Sequence, residues 1–143
     1  MVATMKNTTR TSAELLAGLE LATAGLLFPS ESDAPFTVMR WEGPTGAELG
    51  PETLLASLGL PADTAVETTT VEDTLGPFTE LSGSPSPEDE ADAQRFRSII
   101  TALDHELEDV RVYRVGEVDI DVYLLGRHRS GEWLGLKTHA VET

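Results

Sequence analysis

Apolar residues recur along the chain at helical spacing in some stretches and in alternation in others, and the order of these stretches predicts the architecture. Leu15, Leu19, Ala22 and Leu26 fall on one helical face. Thr11, with Glu14 three residues on, supplies a capping box at the start of this helix, and Gly25 marks its end. Residues 36–41, rich in β-branched and aromatic side chains and closed by Gly43-Pro44, predict a strand. Gly50-Pro51-Glu52 opens a short helix with Leu54, Leu55 and Leu58 on its apolar side and Gly59 as its stop. The threonine-rich run 65–71 favours extension. Residues 75–87 hold two glycines and three prolines and predict a loop around at most one helical turn. Ser86 then caps a long helix over residues 87–107, with Pro87 at its first position and Glu88, Asp89, Glu90 and Asp92 at the positive end of its dipole. Phe96, Ile99, Ile100, Leu103 and Leu107 form its apolar stripe. The remainder alternates: 110–115, then 118–124 with Val118, Ile120, Val122 and Leu124, then 133–141 after a Ser130-Gly131 turn. Three antiparallel strands in a meander are the simplest arrangement. The order αβαβα-βββ predicts an α+β domain, with helices packed in one layer on a mostly antiparallel sheet. Residues 1–10 predict a flexible polar arm and residues 11–143 a single domain.

The charge narrows the partners. Twenty-five acidic residues against ten basic ones give −15, which disfavours nucleic acid phosphates and anionic membranes and favours a cationic partner. Solubility or adaptation to a salt-rich cytoplasm accounts for the same excess, and two lysines against eight arginines suit a GC-rich or salt-adapted genome. From Trp41 to Gln94 there are twelve acidic residues and no lysine or arginine, so most of the charge belongs to one sequence block. A chain of 143 residues buries a core without staples, and the absence of cysteine excludes disulfides and thiolate chemistry. Residues 1–10 lack the apolar region of a secretory signal, and the apolar run 13–28 is too short and too polar to span a bilayer. The expectation is a soluble, cytoplasmic protein.

Catalytic motifs are missing: no nucleophile elbow, phosphate loop or dinucleotide fingerprint, and His105, His128 and His139 lack metal-ligand spacing. Glu117, Asp119 and Asp121 alternate on one strand face with Tyr123 and Leu125. They suit a hard divalent cation or, more simply, a solvated or partner-facing surface, with Arg111 or Arg114 as the neighbouring counter-charge. Ser30-Glu31-Ser32-Asp33 reads as a turn whose side chains bond local backbone. The last strand continues almost to Thr143, whose carboxylate and hydroxyl would chelate a metal held by another protein if the strand fixes their position.

Two blocks carry a resemblance. One runs from Gly25 through Phe28-Pro29-Ser30-Glu31-Ser32-Asp33 to Phe36, Val38, Trp41, Glu42 and Gly43. The other is Val112-Tyr113-Arg114-Val115-Gly116-Glu117-Val118-Asp119-Ile120-Asp121-Val122-Tyr123 with the ending Lys137 to Thr143. Together they resemble the nuclease A inhibitor family, acidic proteins that inhibit sugar-nonspecific ββα-metal endonucleases. Pro29 stands where the family pattern has a longer apolar side chain, and residues 43–92 match it poorly. The resemblance implies a three-layer α/β/α sandwich with a mixed, mostly antiparallel sheet, in place of the two layers read from the residues. It implies a non-enzymatic protein without cofactor or metal of its own, whose partner is a basic ββα-metal endonuclease. Thr143 would reach that partner's magnesium and Glu31 would enter the same active site, with Ser30, Ser32, Trp41 and Glu142 as further partner-binding residues. The alternatives are an acidic interaction domain of the same fold without nuclease inhibition and, after it, an enzyme using Glu117, Asp119 and Asp121 with a divalent ion.

Overall fold

The computed structural model of the chain describes residues 10–41 and 50–143. Of the arm expected over residues 1–10, residues 1–9 lie outside the described residues, as do Glu42, Gly43 and Pro44 after the first predicted strand, whereas the Arg10 N–H donates to the Glu106 carboxylate at 2.7 Å. Among the described residues no helix is long and apolar enough to cross a membrane.

Local chemistry sets the helix ends. Helix α1 (Ser12–Thr23) begins at the capping box expected from Thr11 and Glu14. The Thr11 hydroxyl accepts the Glu14 N–H at 3.1 Å, and the Glu14 carboxylate accepts the Thr11 N–H at 2.9 Å. Helix α2 (Pro51–Leu58) ends where Gly59 turns left-handed. The threonine-rich run holds a strand only over β4 (Val66–Thr69). At Thr70 the side chain accepts the Asp73 N–H and starts a short helix, α3 (Val71–Leu75), followed by a 3-10 turn over Gly76–Thr79. A hydroxyl able to cap overrides the β preference of its neighbours. Helix α4 (Pro87–Glu106) opens with a capping box between Ser86 and Asp89 and passes into β5 (Leu107–Val115) without a loop.

Strands β3 (Thr37–Trp41), β4, β5, β6 (Asp119–His128) and β7 (Trp133–Val141) form one sheet in the order β3-β7-β6-β5-β4. Every neighbouring pair is antiparallel, so the sheet has no parallel pair of the kind a mixed sheet needs. The predicted meander forms its centre. It starts three residues earlier than the pattern indicated, because the ladder crosses an irregularity between Glu108 and Arg111, where Asp109 has φ 53°. An extra residue there breaks the alternation that the sequence reading used.

Alternation along β5 and β6 separates two apolar faces. Val112, Ile120, Val122 and Leu124 face a core closed by Leu15 and Leu19 of α1, Leu75, and Phe96, Ile99 and Leu103 of α4. Tyr113, Val115, Tyr123 and Leu125 face the other way and are covered by Leu54 and Leu55 of α2. The two-layer reading is thereby corrected to three layers. The reason is physical: both faces of the central strands are apolar, so both need a helix. Leu26, expected on the first helix, is buried beyond its end.

β7 also depends on a missing side chain. A Cβ on Gly135 would stand 1.8 Å from the Leu124 carbonyl oxygen. Gly135→Ala is expected to cost about 3 kcal/mol by forcing β6 and β7 apart, measured as a lower urea midpoint. An unchanged midpoint would show that the strands shift freely.

Candidate functional site

The Ser30-Glu31-Ser32-Asp33 segment is the tip of a small hairpin absent from the sequence reading. β1 (Leu27–Phe28) pairs antiparallel with β2 (Ala34–Pro35). Such a short ribbon cannot stand alone. Four phenylalanines, all that the chain contains, hold its base. Phe28 meets Phe36 and Phe78 edge-on at 6.0 and 5.6 Å, and Phe96 meets Phe36 and Phe78 at 6.3 and 5.2 Å. The buried Thr138 hydroxyl of β7 donates to the Pro35 carbonyl at 3.0 Å.

At the tip, Ser30 is fully engaged. Its hydroxyl donates to the Ser32 carbonyl at 2.8 Å and accepts from the Ser32 N–H at 3.2 Å and the Val141 N–H at 3.1 Å. The Asp33 carboxylate accepts the Ser30 N–H at 3.3 Å. These are the turn bonds expected of the segment, apart from the bond to Val141, which joins hairpin to last strand. The Glu31 N–H returns to the Val141 carbonyl at 3.4 Å. Glu31 therefore sits beside the end of β7. Its carboxylate accepts the Thr143 N–H at 2.6 Å and the Thr143 hydroxyl at 2.8 and 3.1 Å. Two residues 112 positions apart meet on the surface, both exposed. The Thr143 amide, and then its hydroxyl, hold the Glu31 carboxyl below its usual range.

Around this junction the acidic groups have partners. Glu142 donates its N–H to the Val118 carbonyl at 2.9 Å, and its carboxylate meets Arg114. Arg114 also meets Glu67 of β4, Nε to Oε1, at 3.1 Å. It thus serves Glu67 and Glu142, whereas the counter-charge to the β6 carboxylates is His139. His139 Nδ1 lies 3.0 Å from Asp121 and Nε2 lies 3.5 Å from Asp119. Asp121 first, and Asp119 with it, push the imidazole above its ordinary value. Glu117 lies in the exposed turn before β6. Among the described residues, no group of three or more His, Asp or Glu side chains could hold a metal ion.

His128 is buried. Its Nε2 lies 2.8 Å from the Arg10 carbonyl, and its Nδ1 accepts the Ser130 N–H at 3.1 Å, so Nε2 carries the proton. His105 is exposed in the last turn of α4.

Of the residues predicted at the site, Glu31, Thr143, Ser30 and Glu142 are brought to one end of the sheet. Ser32 contributes backbone to the Ser30 bonds. Trp41 is elsewhere: it pairs with Trp133 at the opposite end of β7 and packs with the α2 cluster. At a strand's rise that is about 26 Å from Val141. Arg114 and His139 escaped sequence reasoning as members of the site. Their positions were visible, but their partners follow from strand order.

The His139 cluster carries a pH signature. Its folded value is the raised one, so its contribution to stability is complete below the ordinary imidazole pKa and is lost as pH rises through the raised value. Asp121→Asn is expected to bring the His139 titration, followed by imidazole proton shifts, back toward the ordinary value. An unmoved midpoint would assign the charge stabilisation to another group.

The chain matches the family described as nuclease A inhibitor-like protein over residues 13–143. No curated protein matches it. That family description carries a nuclease-inhibitor type of function, with a nuclease as protein partner. Since the match covers both apolar faces of the sheet, the hairpin tip and the last residue, the chain belongs to the nuclease A inhibitor-like family.

Proposed function

We propose that the chain inhibits a sugar-nonspecific ββα-metal endonuclease by seating Thr143 and Glu31 in that enzyme's metal-containing active site. The observation that carries this reading is the contact between the Glu31 carboxylate and the Thr143 amide and hydroxyl, at 2.6 to 3.1 Å. A nuclease active site presents a cation that exchanges waters for phosphate oxygens, and carboxylate and hydroxyl oxygens meet the same preference. While the Thr143 hydroxyl donates its hydrogen bond to Glu31, its oxygen lone pairs remain free to face an incoming cation. Glu31 thus acts twice, as an anion entering the active site and as the group that orients the other arm.

The remainder of the surface supplies approach. A chain of net charge −15 is drawn to a basic groove built for nucleic acid, which speeds encounter and depends on salt. The tip contributes short-range contacts inside a desolvated site, which salt screens less. The two contributions are separable. Trp41, far along the sheet, is outside this contact surface, whereas Ser30 acts through its hold on Val141 and Glu142 through its place beside Thr143.

Digestion of DNA by such an endonuclease, followed across a salt series, tests the proposal. Deleting Thr143 is expected to weaken inhibition about 100-fold and Glu31→Ala about tenfold, the range of residues buried at the centre of an interface. Both losses should persist at high salt while association slows for all variants alike. Full inhibition by the variant lacking Thr143 would remove the active-site mode, and a wild type that never inhibits would remove the function.

A further inference from the structure

We propose that Arg114 is a positioning residue for the chain end: by gripping Glu142 it holds Thr143 against Glu31. The consequence for inhibition rests on the function just proposed, whereas the positioning is a property of the free protein and is testable without a nuclease.

β7 ends at Val141, two residues before Thr143. Terminal residues fray unless something ties them down. Here one backbone bond, Glu142 N–H to Val118 O, extends the ladder. Beyond it, among the described residues, the Thr143 amide and hydroxyl reach the Glu31 carboxylate and the Glu142 carboxylate reaches Arg114. Arg114 projects from β5 with its side chain 16% exposed, and two carboxylates occupy its guanidinium, Glu67 of β4 on Nε and Glu142, just past the end of β7, on Nη2. A planar fork bound on two edges has little rotational freedom, so Glu142 receives a fixed partner. Charge adds a second reason. Glu67 and Glu142 meet on one guanidinium in a strongly acidic chain, and without it they would repel each other. Val115, next to Arg114, is opposite Asp121 in the β6 ladder and Val66 in the β4 ladder, so both the position and the approach of Arg114 are set by the sheet itself.

An exposed ion pair adds little to global stability. The effect belongs instead to the last two residues. Arg127 provides the comparison, because it also bridges carboxylates, those of Glu108 and Asp109, and it lies at the opposite end of β6. Removing it changes the net charge by the same amount as removing Arg114.

The test uses the full chain with Arg114→Gln, Arg114→Lys, Glu142→Gln and Arg127→Gln. In the free protein, amide hydrogen exchange at Thr143 and the titration of the Glu31 carboxyl are followed by nuclear magnetic resonance. Inhibition is measured with and without Thr143. Arg114→Gln is expected to speed Thr143 exchange about tenfold, to move the Glu31 titration up toward its ordinary value, and to weaken inhibition about tenfold. It should add nothing once Thr143 is deleted. Glu142→Gln should copy it, Arg114→Lys should recover part of the loss, and Arg127→Gln should leave exchange and titration unchanged. Should Arg114→Gln fail to fold, Glu142→Gln carries the same comparison from the other side of the bridge. Unchanged exchange and titration in a folded Arg114→Gln or Glu142→Gln variant overturn the proposal. So does a loss of inhibition that is as large without Thr143, or as large in Arg127→Gln, since either reports charge alone. If wild type inhibits no nuclease, the functional reading falls, and exchange and titration still decide the role of Arg114.

Discussion

The Ser30 hydroxyl and the backbone of Val141 form the joint on which the rest depends. Val141 donates to Ser30 and accepts from Glu31, so the hairpin tip and the last strand share one frame. That frame is set by register. β7 lies between β3 and β6, and Asp119 pairs with Val141 at the end of a ladder that begins with Arg127 and Trp133. A slip by one residue would move the chain end about 3.3 Å and turn its side chains to the other face. Leu134 and Leu136, both fully buried, resist the slip by their burial, and Gly135 fits where the Leu124 carbonyl leaves no room for a side chain. The core thus fixes the exposed tip through strand register.

Cations are scarce in this chain, and their placement follows from the scarcity. Arg40 pairs with Glu132, Arg114 with Glu67 and Glu142, and Arg127 with Glu108 and Asp109. Arg95 donates to the Ala22 and Ala24 carbonyls at the end of α1, Arg97 to the Thr79 carbonyl, and the Lys137 ammonium lies over the Tyr123 ring. Basic groups therefore act as braces between elements. The outward field is left to the carboxylates.

Sequence patterns disclosed the elements whose causes are local. The capping boxes at Thr11 and Ser86, the glycine stop at Gly59 and the alternation of β6 each draw their information from a few neighbouring residues. Elements that borrow stability from elsewhere were not legible. The β1-β2 ribbon exists because four rings and Thr138 hold it. The place of α2 depends on the second apolar face, which is seen only when Tyr113, Val115, Tyr123 and Leu125 are aligned across strands. Within the site, the motif residues Glu31 and Thr143 were visible, but their contact was not. Trp41 shares a motif block with Glu31 and leads away from it, because a strand carries its two ends apart.

On the proposed function, the tip illustrates how weak contacts would serve recognition. Each hydrogen bond at an exposed carboxylate, and each surface ion pair, contributes little to folding. Binding, however, charges a separate cost for every side chain that must be ordered at the interface. Were the proposed mode to hold, Glu31 and Thr143, already joined beside Ser30 and Glu142, would have met much of that cost in the free protein. Evolution of such a surface need not strengthen any single bond. It needs enough neighbouring bonds to hold two oxygen-bearing groups at one point, with the sheet beneath deciding where that point lies.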